Sequence, residues 1–181
     1  MAKTVIFTYG RFNPPTKGHA KLVNRIKTIA SQTGADHVIV ASHTQDNKKN
    51  PLTCSSKLKH LRTMFPKTKF KGSNKSNPTF IHQLALLDSK YDNVVFVAGS
   101  DRVESYTSIL HKYNGKDFTF DNVGVVSAGM RCPDAEGTKG ISATKMREYA
   151  VSNNYTKFKK CLPDNYSNTK KLFNEVRKCL S

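Results

Sequence analysis

Within nine residues near the start of the chain, Arg11, Lys17 and His19 place three potential cations or hydrogen-bond donors beside Gly10 and Gly18. More than 120 positions later, Ser142 and Thr144 supply two hydroxyls and Arg147 a further guanidinium. Side chains of these types suit the holding of phosphates and the stabilisation of charge that develops on them. The elements that must position them can be read from the surrounding pattern. Thr4 to Tyr9 is apolar enough through Val5, Ile6 and Phe7 for a covered strand of a parallel sheet. Gly10 ends it. After Pro14 and Pro15 a helical pattern presents Leu22, Val23, Ile26, Ile29 and Ala30 on one face and stops near Gly34. A strand, a tight turn and a helix N-terminus together form a phosphate-binding junction in parallel α/β proteins, because free N–H groups and the helix dipole face the turn. The same spacing also serves an ordinary βα turn, in which glycine and proline only shape the loop.

The rest of the chain alternates in the same way. Strands are expected at His37–Ala41, Lys69–Gly72, Val94–Ala98 and Val123–Ser127. A helix over Ser55–Phe65, stopped by Pro66, turns Leu58, Leu61 and Phe65 inward and leaves Lys57, Lys59 and Arg62 largely outward. Asn77-Pro78-Thr79 starts a helix carrying Phe80, Ile81, Leu84 and Leu87, and Gly99-Ser100-Asp101-Arg102 leads into one carrying Val103, Tyr106, Ile109, Leu110 and Tyr113. That second strand-turn-helix junction sets Ser100 and Asp101 at the carboxyl end of a central strand, where ligands bind in open α/β sheets; Asp101 is read as either a substrate contact or a helix cap. Ala128 to Gly140 reads as a mobile active-site loop or a long connection. Ser142 is a good N-cap for a helix with Thr144 on its first turn, and two or three short helices around Pro163 follow. The expected fold is α/β: a Rossmann-like, doubly wound parallel sheet over residues 1–152, with 153–181 as a small helical C-terminal addition to the same domain.

The charge stands apart from this ordinary composition. Thirty Lys and Arg face 13 Asp and Glu, a net +17, in a chain of 181 residues that is 37% apolar. Such a field favours polyanions of any kind, nucleic acid included, and equally describes a solvated lysine-rich surface. The block from Thr44 to Ser76 is the most basic, with Asp46 its one acid. No run approaches the roughly 20 apolar residues of a membrane span, and the start of the chain carries no secretory pattern, so a cytoplasmic location is expected. Cys54, Cys132, Cys161 and Cys179 lack C-x-x-C or zinc spacing and read as free thiols; a Cys161–Cys179 disulfide is the weaker reading. His43 and His82 fall in no recognised constellation and read as structural.

Thr16-Lys17-Gly18-His19 and Ile141-Ser142-Ala143-Thr144-Lys145-Met146-Arg147 together resemble the two signatures of the nucleotidyltransferase superfamily, [T/H]-x-G-H after the first strand and I-S-x-T-x-x-R at a late helix start. The resemblance covers roughly residues 4 to 152. It implies transfer of a nucleoside monophosphate from an NTP to an acceptor phosphate, with pyrophosphate released. By the same resemblance His19 serves the α-phosphate region, with Thr16, Arg11 and Arg147 beside it as catalytic residues. Gly10, Phe12, Gly18, Ser142 and Thr144 hold the nucleotide, Ser100 and Asp101 face substrate, and Mg2+ accompanies ATP as co-substrate without a protein metal site. Gly10-Arg11-Phe12 followed by proline is similar to the archaeal type of nicotinamide mononucleotide (NMN) adenylyltransferase, although Thr16 stands where that group usually has His. Asn13-Pro14-Pro15-Thr16 and Asp134-Ala135-Glu136-Gly137 resemble nucleotidyltransferases of tailed phages, in which case the location is the host cytoplasm. Gly137-Thr138-Lys139-Gly140-Ile141-Ser142-Ala143-Thr144 lacks the arginine of the cytidylyltransferase pattern R-T-x-G-I-S-T-T, which favours ATP over CTP. The expected partners are ATP and a phosphorylated small molecule, NMN first, with nucleic acid on the basic surface as the alternative. Acceptor and oligomeric state stay open at this point.

Overall fold

Val5, Ile6 and Phe7 are all fully buried, the signature of a strand covered on both faces. In a computed structural model that describes residues 1–129, 141–164 and 166–181, they lie in the central strand of a five-stranded sheet. The strands are β1 (Thr4–Gly10), β2 (Asp36–Ala41), β3 (Phe70–Gly72), β4 (Asn93–Ala98) and β5 (Asn122–Ser127). All pairings are parallel, in the order β3-β2-β1-β4-β5. Helices α1 (His19–Thr33), α2 (Cys54–Met64), α3 (Phe80–Asp88) and α4 (Val103–Tyr113) connect them, and α5 (Ala143–Val151), α6 (Tyr155–Lys160) and α7 (Thr169–Leu180) follow. This is the doubly wound Rossmann-like sheet with C-terminal helices that the alternation implied.

Side-chain alternation along β1 divides the core. Val5 and Phe7 join Leu84, Leu87 and Leu110 of α3 and α4 on one face. Ile6 joins Val23 and Ile26 of α1 and Leu61 of α2 on the other. Gly34 ends α1 at φ 67°, a left-handed position that an L side chain adopts only with strain. The order of strands reverses at β1 and β4, and there the ladder is short. It pairs Thr4 to Phe7 with Asn93 to Phe96 and stops, after which the Thr8 hydroxyl donates to the Val97 carbonyl at 2.8 Å. A side-chain bond replaces a backbone rung at the switch point, the place where ligands bind in open α/β sheets.

The sequence expectation of outward-facing lysines on α2 fails at Lys57. Lys59 and Arg62 are exposed, but Lys57 is fully buried, on the same helix face as His60 and Leu61. Its ammonium reaches two backbone carbonyls, which repay part of the cost of taking a charge out of water. Cys54, Cys161 and Cys179 are free thiols, so Cys161 and Cys179 are not joined. Cys132, the remainder of the loop read as running to Gly140 and the Gly137–Gly140 stretch lie outside the described residues. None of the described helices is long and apolar enough to cross a membrane.

A third cluster ties the tail to the sheet domain. Leu172, Phe173 and Val176 of α7 and Phe158 of α6 pack with Met146 and Ala150 of α5 and with Leu52. Leu172 is fully buried within it. Leu172→Ala is expected to cost about 2–5 kcal/mol, and urea unfolding followed by circular dichroism should remain one transition; a separate early phase would make the tail an independent unit.

Candidate functional site

The turn after β1 is built around an aromatic side chain in an unusual conformation. Phe12 has φ 45° yet is buried, its ring 4.7 Å from that of His19 at 60°. A left-handed non-glycine residue costs on the order of 1–3 kcal/mol, which surrounding contacts must offset. Gly10 is one of those conditions, because a Cβ there would lie 2.9 Å from the Phe12 ring. Asn13 is another: its Oδ1 accepts from Leu52 N–H at 2.8 Å and its Nδ2 donates to Leu52 carbonyl at 3.3 Å, pairing the turn with the chain ahead of α2.

His19 opens α1 with a defined orientation. The Thr16 N–H donates to His19 Nδ1 at 3.0 Å, so in the neutral imidazole Nδ1 carries the lone pair and Nε2 carries the hydrogen. Thr16 is itself buried, and its Oγ1 accepts from Gly18 N–H at 3.1 Å. Both polar groups of Thr16 are thus turned to the motif's own residues, giving it an orienting position.

The two motifs meet directly. A Cβ on Gly18 would come within 3.2 Å of Thr16 Oγ1 and 3.3 Å of the Ile141 carbonyl, a closeness that only glycine fills without displacement. Arg147 Nη1 donates to the Asn13 carbonyl at 2.9 Å and Nη2 to Thr144 Oγ1 at 3.1 Å. Burial lowers the affinity of Arg147 for its proton, as does the nearby Arg11, while Asp46 and Glu148 oppose the shift. Ser142 caps α5, its Oγ accepting from Lys145 N–H at 3.1 Å. These contacts bring the turn that carries an exposed Arg11 and the start of α1 with His19 against the first turn of α5. Thr144, Arg147 and Lys48 also line an open groove of about 470 Å³ that runs along α5 to Val151 and Leu180.

Ser100 and Asp101 are exposed in a short 3-10 turn, Ser100–Arg102, at the end of β4. The Ser100 N–H donates to the Gly129 carbonyl at 3.1 Å, so they occupy the β4–β5 side of the opening. Arg102 holds the N-cap position of α4, which leaves Asp101 out of that cap. His43 and His82 are engaged in local structure: His43 Nδ1 lies 2.8 Å from Ser73 Oγ, and His82 Nδ1 2.7 Å from Thr79 Oγ1, the cap of α3.

Sequence reasoning missed Lys57. Its Nζ donates to the Arg11 carbonyl at 2.6 Å and the Ser42 carbonyl at 2.5 Å, joining the ends of β1 and β2 beneath the turn. Burial pushes the ammonium down to about 8, against a favourable effect of Cys54 and with a further lowering from Arg11. The available signal was helical spacing, since Lys57, His60, Leu61 and Met64 fall at i, i+3, i+4 and i+7. The residues gathered here are donors and cations, and among the described residues no three His, Cys, Asp or Glu side chains cluster for a metal. That set fits a Mg2+ ion carried on triphosphate oxygens and water.

Two donor-rich segments held together beyond the carboxyl ends of a doubly wound parallel sheet define a Rossmann-like α/β protein. The chain belongs to the cytidylyltransferase-like family, whose model matches residues 7–149 and so takes in both motifs. Membership points to nucleotidyl transfer as the class of chemistry. Among solved structures, the chain is similar to Thermotoga maritima TmcAL bound with alpha-thio ATP, at 13% identity and TM-score 0.58 over 97% of this chain and 56% of that one. It is also similar to a macrolide-efflux protein from Streptococcus pneumoniae, at 15% identity and TM-score 0.53 over 89% and 55%. These likenesses show the fold, and the chain spans little more than half the length of either structure. No curated protein matches it.

Lys57 makes stability depend on pH in a defined direction. Its pKa is about 8 folded and 10.5 in its ordinary state, so the unfolded chain binds more protons between those values and stability rises with pH across that window. The rise is on the order of 3 kcal/mol. Urea midpoints at pH 7.5 and 10 should show it in the native protein, reduced in Lys57→Met; equal pH slopes would remove the assignment.

Proposed function

We propose that the protein transfers AMP from ATP to the phosphate of a small acceptor and releases pyrophosphate, with NMN the first acceptor to test. The observation that carries this reading is the bond from Arg147 to the Asn13 carbonyl, which holds the second motif against the first. An acceptor phosphate oxygen attacks the α-phosphorus and the bond to the α–β bridging oxygen breaks, with no covalent intermediate on the protein. His19 donates through Nε2–H to the α-phosphate as charge builds there, and Thr16 keeps the imidazole in the required tautomer. Arg11 and Arg147 balance the charge of the leaving pyrophosphate. The Ser142 hydroxyl, Thr144 and the first N–H groups of α5 hold the β- and γ-phosphates. Gly10, Phe12 and Gly18 shape the turn for close approach, and Ser100 and Asp101 contact substrate from the β4 side. Mg2+ supplies charge neutralisation on the triphosphate oxygens. Residues 1–152 form the catalytic body of one domain and 153–181 its buttress.

The resemblance of Gly10-Arg11-Phe12 to archaeal-type NMN adenylyltransferases favours ATP and NMN, as does the alpha-thio ATP in one structural neighbour. The family's own description favours the second reading, a cytidylyltransferase using CTP. The charge of +17 motivates a third, nucleic-acid binding on the same fold.

Incubation with ATP, Mg2+ and NMN should release pyrophosphate, and His19→Ala should lower turnover by about a hundredfold or more at a temperature where thermal unfolding shows the variant still folded. A native rate in the variant would take His19 out of the chemistry. Thermal-shift titration separates the nucleotides, because a ligand at 100 times its Kd stabilises by about 2.7 kcal/mol. ATP should produce the larger shift; a larger shift with CTP would reassign the donor.

A further inference from the structure

Lys57 is fully buried, and its two hydrogen-bond partners, the carbonyls of Arg11 and Ser42, are uncharged. Among the described residues no carboxylate lies in an ion pair with it. Glu175 of α7 is committed elsewhere on α2, where it accepts from the Ser56 hydroxyl and lies 3.5 Å from the His60 ring. A buried charge without a counterion is costly, and folds that keep one usually supply the opposite charge from somewhere. Here the ammonium sits beneath the turn that bears Arg11, and the Ser42 hydroxyl beside it is buried with no hydrogen-bond partner. Cation, orphan hydroxyl and exposed guanidinium stand together at the carboxyl ends of β1 and β2.

We propose that Lys57 is the positioning residue of this turn and that its missing counterion is the phosphate group of the bound ligand. The ammonium fixes the Arg11 backbone against the end of β2, so the Arg11 guanidinium starts from one anchored position. A phosphate arriving at Arg11 then places negative charge over Lys57 and stabilises its charged form. Anion binding and protonation of Lys57 are therefore linked, each strengthening the other.

Titratable and charged groups on the elements around Lys57 include Tyr9 and Arg11 at the end of β1, His43 after β2, Cys54, Lys59, His60 and Arg62 on α2 itself, and Lys171 and Glu175 on α7. Of these, Arg11 and Cys54 act on it electrostatically, in opposite directions. His43 is bound to Ser73 and the Tyr9 hydroxyl to the Pro78 carbonyl at 2.7 Å. Burial raises the Tyr9 phenol and lowers His60 from their ordinary values, moving both away from pH 8. Cys54 is a free thiol on the same helix, so the titrations below are made in a Cys54→Ser background, which leaves Lys57 as the group under test.

The inference rests on the phosphate-binding half of the proposed function and not on the transfer step, so inorganic tripolyphosphate is the probe. Calorimetric titration at pH 8 in two buffers of different ionisation heat measures protons taken up on binding. With Lys57 at about 8, the Cys54→Ser protein should take up roughly half a proton per tripolyphosphate. Its affinity should fall about tenfold between pH 7 and 9.5. Lys57→Met should bind about tenfold more weakly at pH 7, with uptake and pH slope lost. Lys57→Arg, which keeps the charge and the donors, should recover the affinity without the proton uptake. A merely structural lysine would lower the melting temperature of the Met variant and leave uptake unchanged. Binding without uptake in the protein that keeps Lys57, or no binding of tripolyphosphate, overturns the inference even if Lys57→Met does not fold. Uptake without pyrophosphate release from ATP and any acceptor leaves the inference standing and defeats the transfer reading.

Discussion

Arg147 reaches from the first turns of α5 to the carbonyl of Asn13, 134 positions earlier, at 2.9 Å. That contact needs both ends to be fixed. At one end, α5 is capped by Ser142 and seated on Met146 and Ala150 in the C-terminal cluster. At the other, the turn holds a left-handed Phe12 that has no intrinsic reason to stay there. Gly10 leaves room for the Phe12 ring, Asn13 pairs with Leu52, and Lys57 draws the Arg11 carbonyl toward β2. The local strain of the turn is therefore held by three separate parts of the chain, and Arg147 makes the second motif one of them.

The C-terminal helices belong to this arrangement. The Lys17 N–H donates to the Cys161 carbonyl at 2.8 Å, so the residue between Thr16 and Gly18 is anchored to the end of α6. On the far side, Glu175 joins Ser56 and His60, and the His60 ring bonds the Tyr166 hydroxyl at 2.5 Å. Helix α2 is thereby clamped between α7 and the turn, with Lys57 bonded to the carbonyls of Arg11 and Ser42 and with Ser56 and His60 held by Glu175. Burial holds the Tyr166 phenol at about 12 and lowers His60, consistent with a neutral pair whose hydrogen bond survives near neutral pH. A tail that reads in the sequence as an appendage is a buttress for the loop that bears Arg11.

Much of this was legible in the sequence, for physical reasons. Continuous apolar runs mark covered strands, and Gly34 marks the end of α1 because few other residues sit at φ 67°. The two motifs relate Gly18 to Ser142 in the sequence, and the structure puts Gly18 against Ile141. Lys57 was illegible because hydrophobic patterning assigns a lysine to the outside by type, whereas its partners, two carbonyls, have no signature in the sequence. Asn13 escaped for a similar reason, since its pairing with Leu52 depends on a turn whose path the sequence does not specify. The C-terminal clamp escaped because it joins elements more than 100 positions apart through single polar side chains.

Several aspartates of this basic chain serve local structure. Asp46 accepts from the N–H groups of Lys48, Lys49 and Asn50 and from the Asn50 side chain, which holds its carboxyl well below the usual carboxylate range. Asp92 accepts from the Lys3 N–H, Asp36 from the Tyr91 hydroxyl and Asp88 from Thr119. Each of these carboxylates closes a turn or pins a neighbouring element instead of bonding a Lys or Arg side chain. The excess of 17 positive charges is set by composition and acts on solvent and incoming anions over a range given by the screening length of about 8–10 Å at ordinary salt. A field of that reach draws polyanions toward the molecule without choosing among them. Under the proposed function, discrimination falls to the turn, where the Thr16 N–H sets one His19 tautomer and the Ile141 carbonyl limits the size at Gly18, so attraction and selection are carried by different residues.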